Sequence, residues 1–356
     1  MPDNVEANAA KSTRIAITGI GLVCPDAWGT IDETAAKILG RSTPTDDGGD
    51  AAEADAFLAI PDAFRGEGDK LPGEIRREKA AWATALAFQA CVRSAGIAPD
   101  DWAPERAGLS LSVAQAGPDG MIRFAEEVRG QSPRFVSPIH FPQTVGNFVA
   151  GAMARAYHLR GPNVTIGVQS PLGGLEALVE GCGFLTGGHA DVVLAGGVDI
   201  WSDQLARAVV RGTAMRAGNG QTGGNQKPGA FPTECVCLFC LKRSADVREG
   251  ENVIGWLDPV PQRPDSLPSL PDSQPNVGSL SLYGLTSDGS ARAILPASEN
   301  VLGHCPSAAG PAAIALALSV AKGSPHAPST LPTPIDRILI TLPEAYGLLV
   351  HCSAAL

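Results

Sequence analysis

GPNVTIGVQSPLGGLEALVEGCGFLTGGHADVVLAGGVD, residues 161–199, decides the fold. Val164–Val168 is a short β-branched run, and Ser170-Pro171-Leu172-Gly173-Gly174 is a breaker cluster. Leu175, Leu178, Val179, Cys182 and Leu185 share one helical face, and Gly187-Gly188 stops that helix. Ala190–Gly197 is an almost purely apolar run ending in Gly-Gly, as expected of a strand buried on both faces. The order is strand, sharp turn, helix, strand. Such a turn lifts one side chain above the sheet and aims helix N-terminal amides at it. That arrangement suits a nucleophile and the oxyanion it generates. The functional question becomes which side chain stands on the turn.

Three landmarks, Gly161-Pro162-Asn163-Val164-Thr165, Gly174-Leu175 and Ala190–Gly197, carry a family resemblance. Through them the stretch resembles the nucleophile turn of the β-ketoacyl synthases, condensing enzymes of the thiolase superfamily. That turn ordinarily reads Cys-Ala-Ser-Gly-Leu. Here no Cys stands there: counting forward from Gly161 puts its position on Ser170, and counting back from Gly174 puts it on Pro171. The two counts differ by one residue, which reads as an insertion in the turn. Gln169 lies beside it, and Gly173-Gly174-Leu175 looks like the Gln-Ala-Gly-Gly-Leu turn of the chain-length-factor subunits, where Gln replaces Cys.

With 356 residues and 44% apolar content the chain can bury a large core, as one big α/β domain or two fused halves. Forty-one glycines (Gly 41) and few aromatics favour helices lying close on sheets. A formal charge of -10 argues against a nucleic-acid or anionic-membrane partner, which would need clustered Lys and Arg. No apolar run is long enough for a membrane span. Residues 1–13 read as a disordered tail. The cysteines (Cys 8) lie mostly in apolar runs, as small hydrophobes of a reduced cytoplasm.

Outward from the central stretch, Arg14–Val23 is a strand and Asp46–Glu67 an acidic, mobile surface insertion. Arg76–Ala95 is a helix with Ala80, Ala83, Leu86, Ala87, Ala90 and Cys91 on one face. Ala107–Val113 is a strand, Gly117–Val128 a helix, and Val145–Tyr157 a helix of small residues. Ser137–Gln143 resembles the family's Ser-Pro-x-x-x-Pro-Asn segment. After Asp199 the chain is helical to about Val210, and Arg211–Gly229 is a loop. Phe231–Glu234 opens a strand over Cys235–Lys242, and Val253–Leu257 is another. Asp258–Asn276 is rich in Pro, Ser and Asp and reads as a linker. The expected organisation is a synthase-like N-terminal half over 14–257, a linker over 258–276 and a shortened C-terminal half over 277–356.

In that second half Val301–Gly310 resembles the family's Lys-Ser-x-x-Gly-His-x-x-Gly-Ala-Ala-Gly. The resemblance gives His304 the position of a catalytic histidine and puts Glu299 where the family has Lys. The other family histidine belongs to His-Gly-Thr-Gly-Thr; the nearest text, Tyr283–Gly289, has no His. The final Gly-Phe-Gly-Gly loop is also missing: Leu342–Tyr346 stands between the last strands, Arg337–Thr341 and Gly347–His351.

Decarboxylative condensation needs a thiolate and two donors for the enolate, so these absences point to lost condensing activity. Ser170 activated by His304 could instead transfer or hydrolyse an acyl group. Against that, Ser170 before Pro171 also reads as a plain helix cap, and His304 as a hydrogen-bonded core residue. Cys305 beside His304 lies on the wrong segment for the helix amides, and Cys182 reads as core. Cys235-x-Cys237-x-x-Cys240 puts two thiols on one strand face and the third on the other, which fits core packing and not a metal site. No cofactor is expected. The resemblance implies an α/β, five-layer αβαβα thiolase-like fold of two pseudo-repeated halves. It implies a homodimer, or a heterodimer with a synthase-like chain, and contact with an acyl carrier protein. The function expected is that of a degenerate synthase-like partner or thiolase-fold adaptor, the alternative being an acyltransferase or thioester hydrolase.

Overall fold

A computed structural model describes residues 14–39, 57–68, 71–73, 75–98, 101–114, 118–130, 134, 136, 138, 140–167, 173–218, 232–260, 281–285, 291–293, 305–321, 337–341 and 347–352. The chain opens with β1 (Ile15–Cys24), β2 (Ala27–Thr30) and α1 (Ile31–Leu39), then α2 (Lys79–Ala95), β3 (Ala107–Val113), α3 (Pro118–Gly130) and α4 (Phe148–Ala156). The central stretch forms β4 (Asn163–Ile166), α5 (Gly173–Thr186) and β5 (Val192–Asp199), followed by α6 (Asp203–Gly218), β6 (Cys235–Arg243) and β7 (Gly255–Val260). Then come β8 (Ser281–Leu285), β9 (Ala291–Ala293), α7 (Ala309–Ala321), β10 (Arg337–Thr341) and β11 (Gly347–Cys352).

The strands join in the order β4-β3-β5-β6-β1-β7-β11-β10-β8-β9, with β2 beside β1. Among the described strands only β4, β3 and β5 run parallel; their crossovers run through helices, as parallel pairing requires. The later pairings are antiparallel. The two parts of the sheet meet at a narrow central joint, where Ile15, Ala16 and Ile17 of β1 pair with Leu257, Trp256 and Gly255 of β7.

Every residue of β5 is buried. Its alternation feeds two cores: Val193 and Ala195 join a cluster with α1, α5 and α7, while Val192, Leu194 and Val198 join one with α2 and α4. Both faces are therefore covered by helices, as the apolar run demanded. α2 goes beyond its expected single face: all residues from Ala80 to Val92 are buried. Its many alanines and the facing Gly19 and Gly21 of β1 allow close approach, while Trp82, Leu86 and Phe88 fill the space around it.

Several sequence expectations need correction. The insertion over 46–67 is not all surface: Leu58 pairs with Thr233, and Ile60 is buried with its amide donating to Glu234 Oε2 at 2.7 Å. Residues 211–218 continue α6 where a loop was expected: Gly212 is tolerated inside the helix, and Ala214, Met215, Arg216 and Ala217 are good helix formers. β7 runs through Pro259 to Val260, paired with Leu348 and Gly347, so the first three residues of the expected linker are strand. Residues 1–13, 261–276 and 219–229 lie outside the described residues. Among the described residues no helix is long and apolar enough to cross a membrane.

An ion cluster closes the exit of α5 into β5. Arg243 donates to the carbonyls of Leu185 and Ala190 at 2.9 and 2.6 Å, which satisfies acceptors left at the helix end. Asp191 accepts from Arg106 and Arg243, at 2.7 and 2.5 Å on Oδ1. The Arg106 hydrogen bond, then Arg243, holds its carboxyl down from 3.8 to about 2. The group therefore contributes stability above its unfolded pKa, lost as pH falls from about 4 to about 2. Asp191 is 45% exposed, and solvent screening keeps that contribution below about 1 kcal/mol. Asp191→Asn should flatten the acid limb of the stability curve by that amount, measured by urea unfolding from pH 5 to 2. An unchanged limb would contradict it.

Candidate functional site

The parallel strands end together: Ile166, Ser112 and Gly197 are register neighbours across β4, β3 and β5. In open α/β sheets this carboxyl edge is where ligands bind. Two helices begin beside it. α5 follows β4 by a short connection, and α7 starts from a turn at Cys305–Ala308, with the Ala309 amide donating to the Cys305 carbonyl at 2.8 Å.

Glycines let the two helix starts touch. A Cβ on Gly174 would collide with the Ser307 carbonyl and stand 2.6 Å from Pro311 Cδ. One on Gly197 would strike that same carbonyl and stand 2.7 Å from the Ala308 nitrogen. The first turn of α7 is thus wedged against both α5 and β5. Asp199 secures it: Oδ2 accepts from the Ala308 amide at 2.7 Å, inside the protein. A carboxyl oxygen at a helix start satisfies an amide that has no partner inside the helix.

Among the described residues the thiols of Cys24, Cys91, Cys182, Cys235, Cys237, Cys240 and Cys305 are core. Cys235 and Cys305 share a side-chain hydrogen bond, with Cys24 and Cys237 nearby; that bond and burial push the Cys235 thiol well above its usual value. Burial does the same for Cys237. Cys235 and Cys237 face the α5–α7 core and Cys240 the α2–α4 core, the alternation the spacing required. Cys182 lies on the buried face of α5. A thiol held neutral in an apolar interior is a poor nucleophile. Among the described residues no three His, Cys, Asp or Glu are grouped so as to hold a metal.

Of the residues singled out from the sequence, Gly173 and Gly174 form the buried first turn of α5. Gln169, Ser170, Pro171, Glu299 and His304 lie outside the described residues. What is brought together are flanking residues, Gly174 on one side and Cys305–Ser307 on the other. Asp199, Gly197 and Ser307 were missed. The available signal was Gly196-Gly197 inside a buried strand, which marks close approach of another backbone.

The family described as "Beta-ketoacyl synthase, N-terminal domain" matches residues 12–246, more than half of the chain. The 3-oxoacyl-[acyl-carrier-protein] synthase 2 of Rhizobium meliloti (strain 1021) is 25% identical over 214 residues, covering 52% of this chain and 47% of that protein. Its counterpart in Coxiella burnetii (strain RSA 493 / Nine Mile phase I) is 22% identical over 208 residues, covering 55% and 48%. The chain thus spans about half the length of the curated relatives it matches. Among solved structures, a type II polyketide ketosynthase in complex with its acyl-carrier protein, bound to the hexaketide, superposes with TM-score 0.68 at 14% identity, over 96% of this chain and 99% of that one. The ishigamide ketosynthase/chain length factor gives 0.64 at 15% identity, over 97% and 100%. The thiolase-like α/β fold implied by the resemblance is the fold found.

Proposed function

Because the chain belongs to the β-ketoacyl synthase family, we propose that it is a member without condensing chemistry that works by pairing with a synthase-type chain, as a chain-length-factor-like subunit. One observation carries this: Gly167–Gly174, which leads from β4 into α5, contains no cysteine. The thiols on neighbouring elements, Cys182 and Cys305, are buried in the core and cannot replace it without unpacking it. Tyr283–Gly289 has no histidine either. Losing one oxyanion donor costs on the order of 100–1,000-fold in rate, and here the nucleophile is missing as well.

The edge of the sheet supports pairing. β4 is its terminal strand, with Asn163 exposed and Val164, Thr165 and Ile166 only half-buried. An uncovered strand edge is a template for another chain. The stretch 141–145, which leads into α4 beside β4, exposes Phe141 and Val145. On this reading the halves divide between β6 and β7, since β7 pairs along its whole length with β11 and by only three residues with β1.

The test combines chemistry and assembly. Incubated with malonyl and acyl carrier-protein thioesters, the purified chain should keep its intact mass and form no carbon–carbon bond. Co-expressed with a synthase-type chain it should co-purify as a heterodimer, which Phe141→Glu weakens at least tenfold. Condensation by the chain alone, or a monomer in every combination, would sink the reading. A second reading is favoured by the contact of Gly174 with Ser307: Ser170 and His304, near them in sequence, would move or hydrolyse an acyl group. It requires a covalent acyl adduct on Ser170 that disappears in Ser170→Ala.

A further inference from the structure

Asp199 is the last residue of β5 and only 1% exposed. Its Oδ2 bonds the Ala308 amide, 109 residues away, while Oδ1 and the neighbouring Ser307 Oγ, both buried, make no hydrogen bond of good geometry. Ser112 Oγ, on the same face at the end of β3, is likewise buried and unpartnered. Such under-satisfied oxygens around a carboxyl leave room for a proton and none for bulk water. We propose that the Asp199 carboxyl is a proton-operated clamp, which when protonated holds the first turn of α7 on β5 and when ionised loosens that joint.

The physical basis is desolvation. An ionised carboxylate enclosed by apolar groups is disfavoured relative to its neutral form. Burial accordingly raises the carboxyl from 3.8 to about 7, opposed by the amides of Ala308 and Ser307 and the Ser307 hydroxyl. Among the described residues, the groups around it do not compensate the charge. β6 presents its register partner Cys235, and the entry to α7 presents Cys305 and Ser307. β3 presents Ser112 on the same face. The charged side chain just before β6, Glu234, is paired with Lys79. Asp203, at the start of α6, is exposed and pairs with Arg207. Opening of the α7 joint would release Asp199 to water, where it ionises near 3.8, so opening expels one proton between pH 4 and 7. Stability from this group is complete below about 4 and lost as pH rises through about 7.

The test compares the full chain with Asp199→Asn, which keeps an acceptor for the Ala308 amide and cannot titrate. In urea unfolding, the equilibrium constant of the native protein should rise about tenfold per pH unit between pH 4.5 and 6.5 relative to the variant. Hydrogen exchange of the Ala308, Ala309 and Ala312 amides should accelerate with the same excess slope once intrinsic exchange is divided out. Identical pH profiles for both proteins would overturn the clamp, as a merely structural Asp199 predicts. Should the variant not fold, carbon-13-labelled aspartate in the native protein gives the answer by infrared spectroscopy. A protonated buried carboxyl should be present at pH 6 and gone at pH 8; only ionised carboxylates at pH 6 would equally refute the proposal.

Discussion

Glu234→Ala should lower the unfolding free energy by roughly 3–5 kcal/mol, the magnitude expected when one partner of a buried ion pair is removed. The Glu234 side chain is fully buried and its Oε2 lies 2.7 Å from Lys79 Nζ. It also accepts the amides of Ile60, at 2.7 Å, and Trp201, at 3.2 Å. Burial raises its pKa, and Lys79 and the two amides counter the rise. Alanine would strand two buried amides and an ammonium that is only partly solvated, each a desolvation penalty without return. Lys79→Met in the same background should recover the part due to the charge and leave the part due to the amides. Equilibrium denaturation of the single and double variants checks this. A loss under about 1 kcal/mol for Glu234→Ala, or strict additivity of the pair, would show that Glu234 does not hold these segments together.

That anchor illustrates what a sequence can carry. β3 was legible to the residue, and α5 and β5 to within two, because their apolar periods differ and their ends carry Gly pairs. The split of Cys235 and Cys237 from Cys240 followed from strand alternation alone. Ile60 was not legible as core. It sits in an acidic, Gly- and Ala-rich run and is buried only because Leu58 lies along Thr233, a pairing 175 positions away that no local pattern encodes. Pro259 misled in the opposite direction. Pro is disfavoured in a central strand for want of an N–H, yet here it lies between β7 residues paired to β11.

The site was half legible for a similar reason. Landmarks flanking Ser170 fixed which turn matters, while the two counts to its apex differed by one residue and periodicity has nothing to say about a turn's inner length. Asp199 could not be singled out because a carboxyl ending a strand is usually solvated. Its burial depends on Ser307 and Ala308 arriving from another part of the chain.

Gly174→Ala and Gly183→Ala, nine residues apart on α5, should move stability in opposite directions. At Gly183 the added methyl meets nothing within 4 Å, so the only change is the lost backbone freedom of the unfolded chain and a gain of about 0.5–1 kcal/mol. At Gly174 it meets the Ser307 carbonyl and Pro311, which are backbone and ring and cannot rotate away. Overpacking of this kind costs about 1–3 kcal/mol or more. Gly197→Ala strikes the same carbonyl from β5 and should cost at least as much, since the shift also stretches the Asp199–Ala308 bond. Once either methyl has lifted the first turn of α7, the other enters space already opened. The double variant should therefore lose less than the sum of the singles, with a coupling of about 0.5–3 kcal/mol. Thermal and urea unfolding of the four variants decide it. If Gly174→Ala stabilised the protein as Gly183→Ala does, or if the pair were additive, α5 and β5 would not share the start of α7, and the site would lose the contact that brings its two segments together.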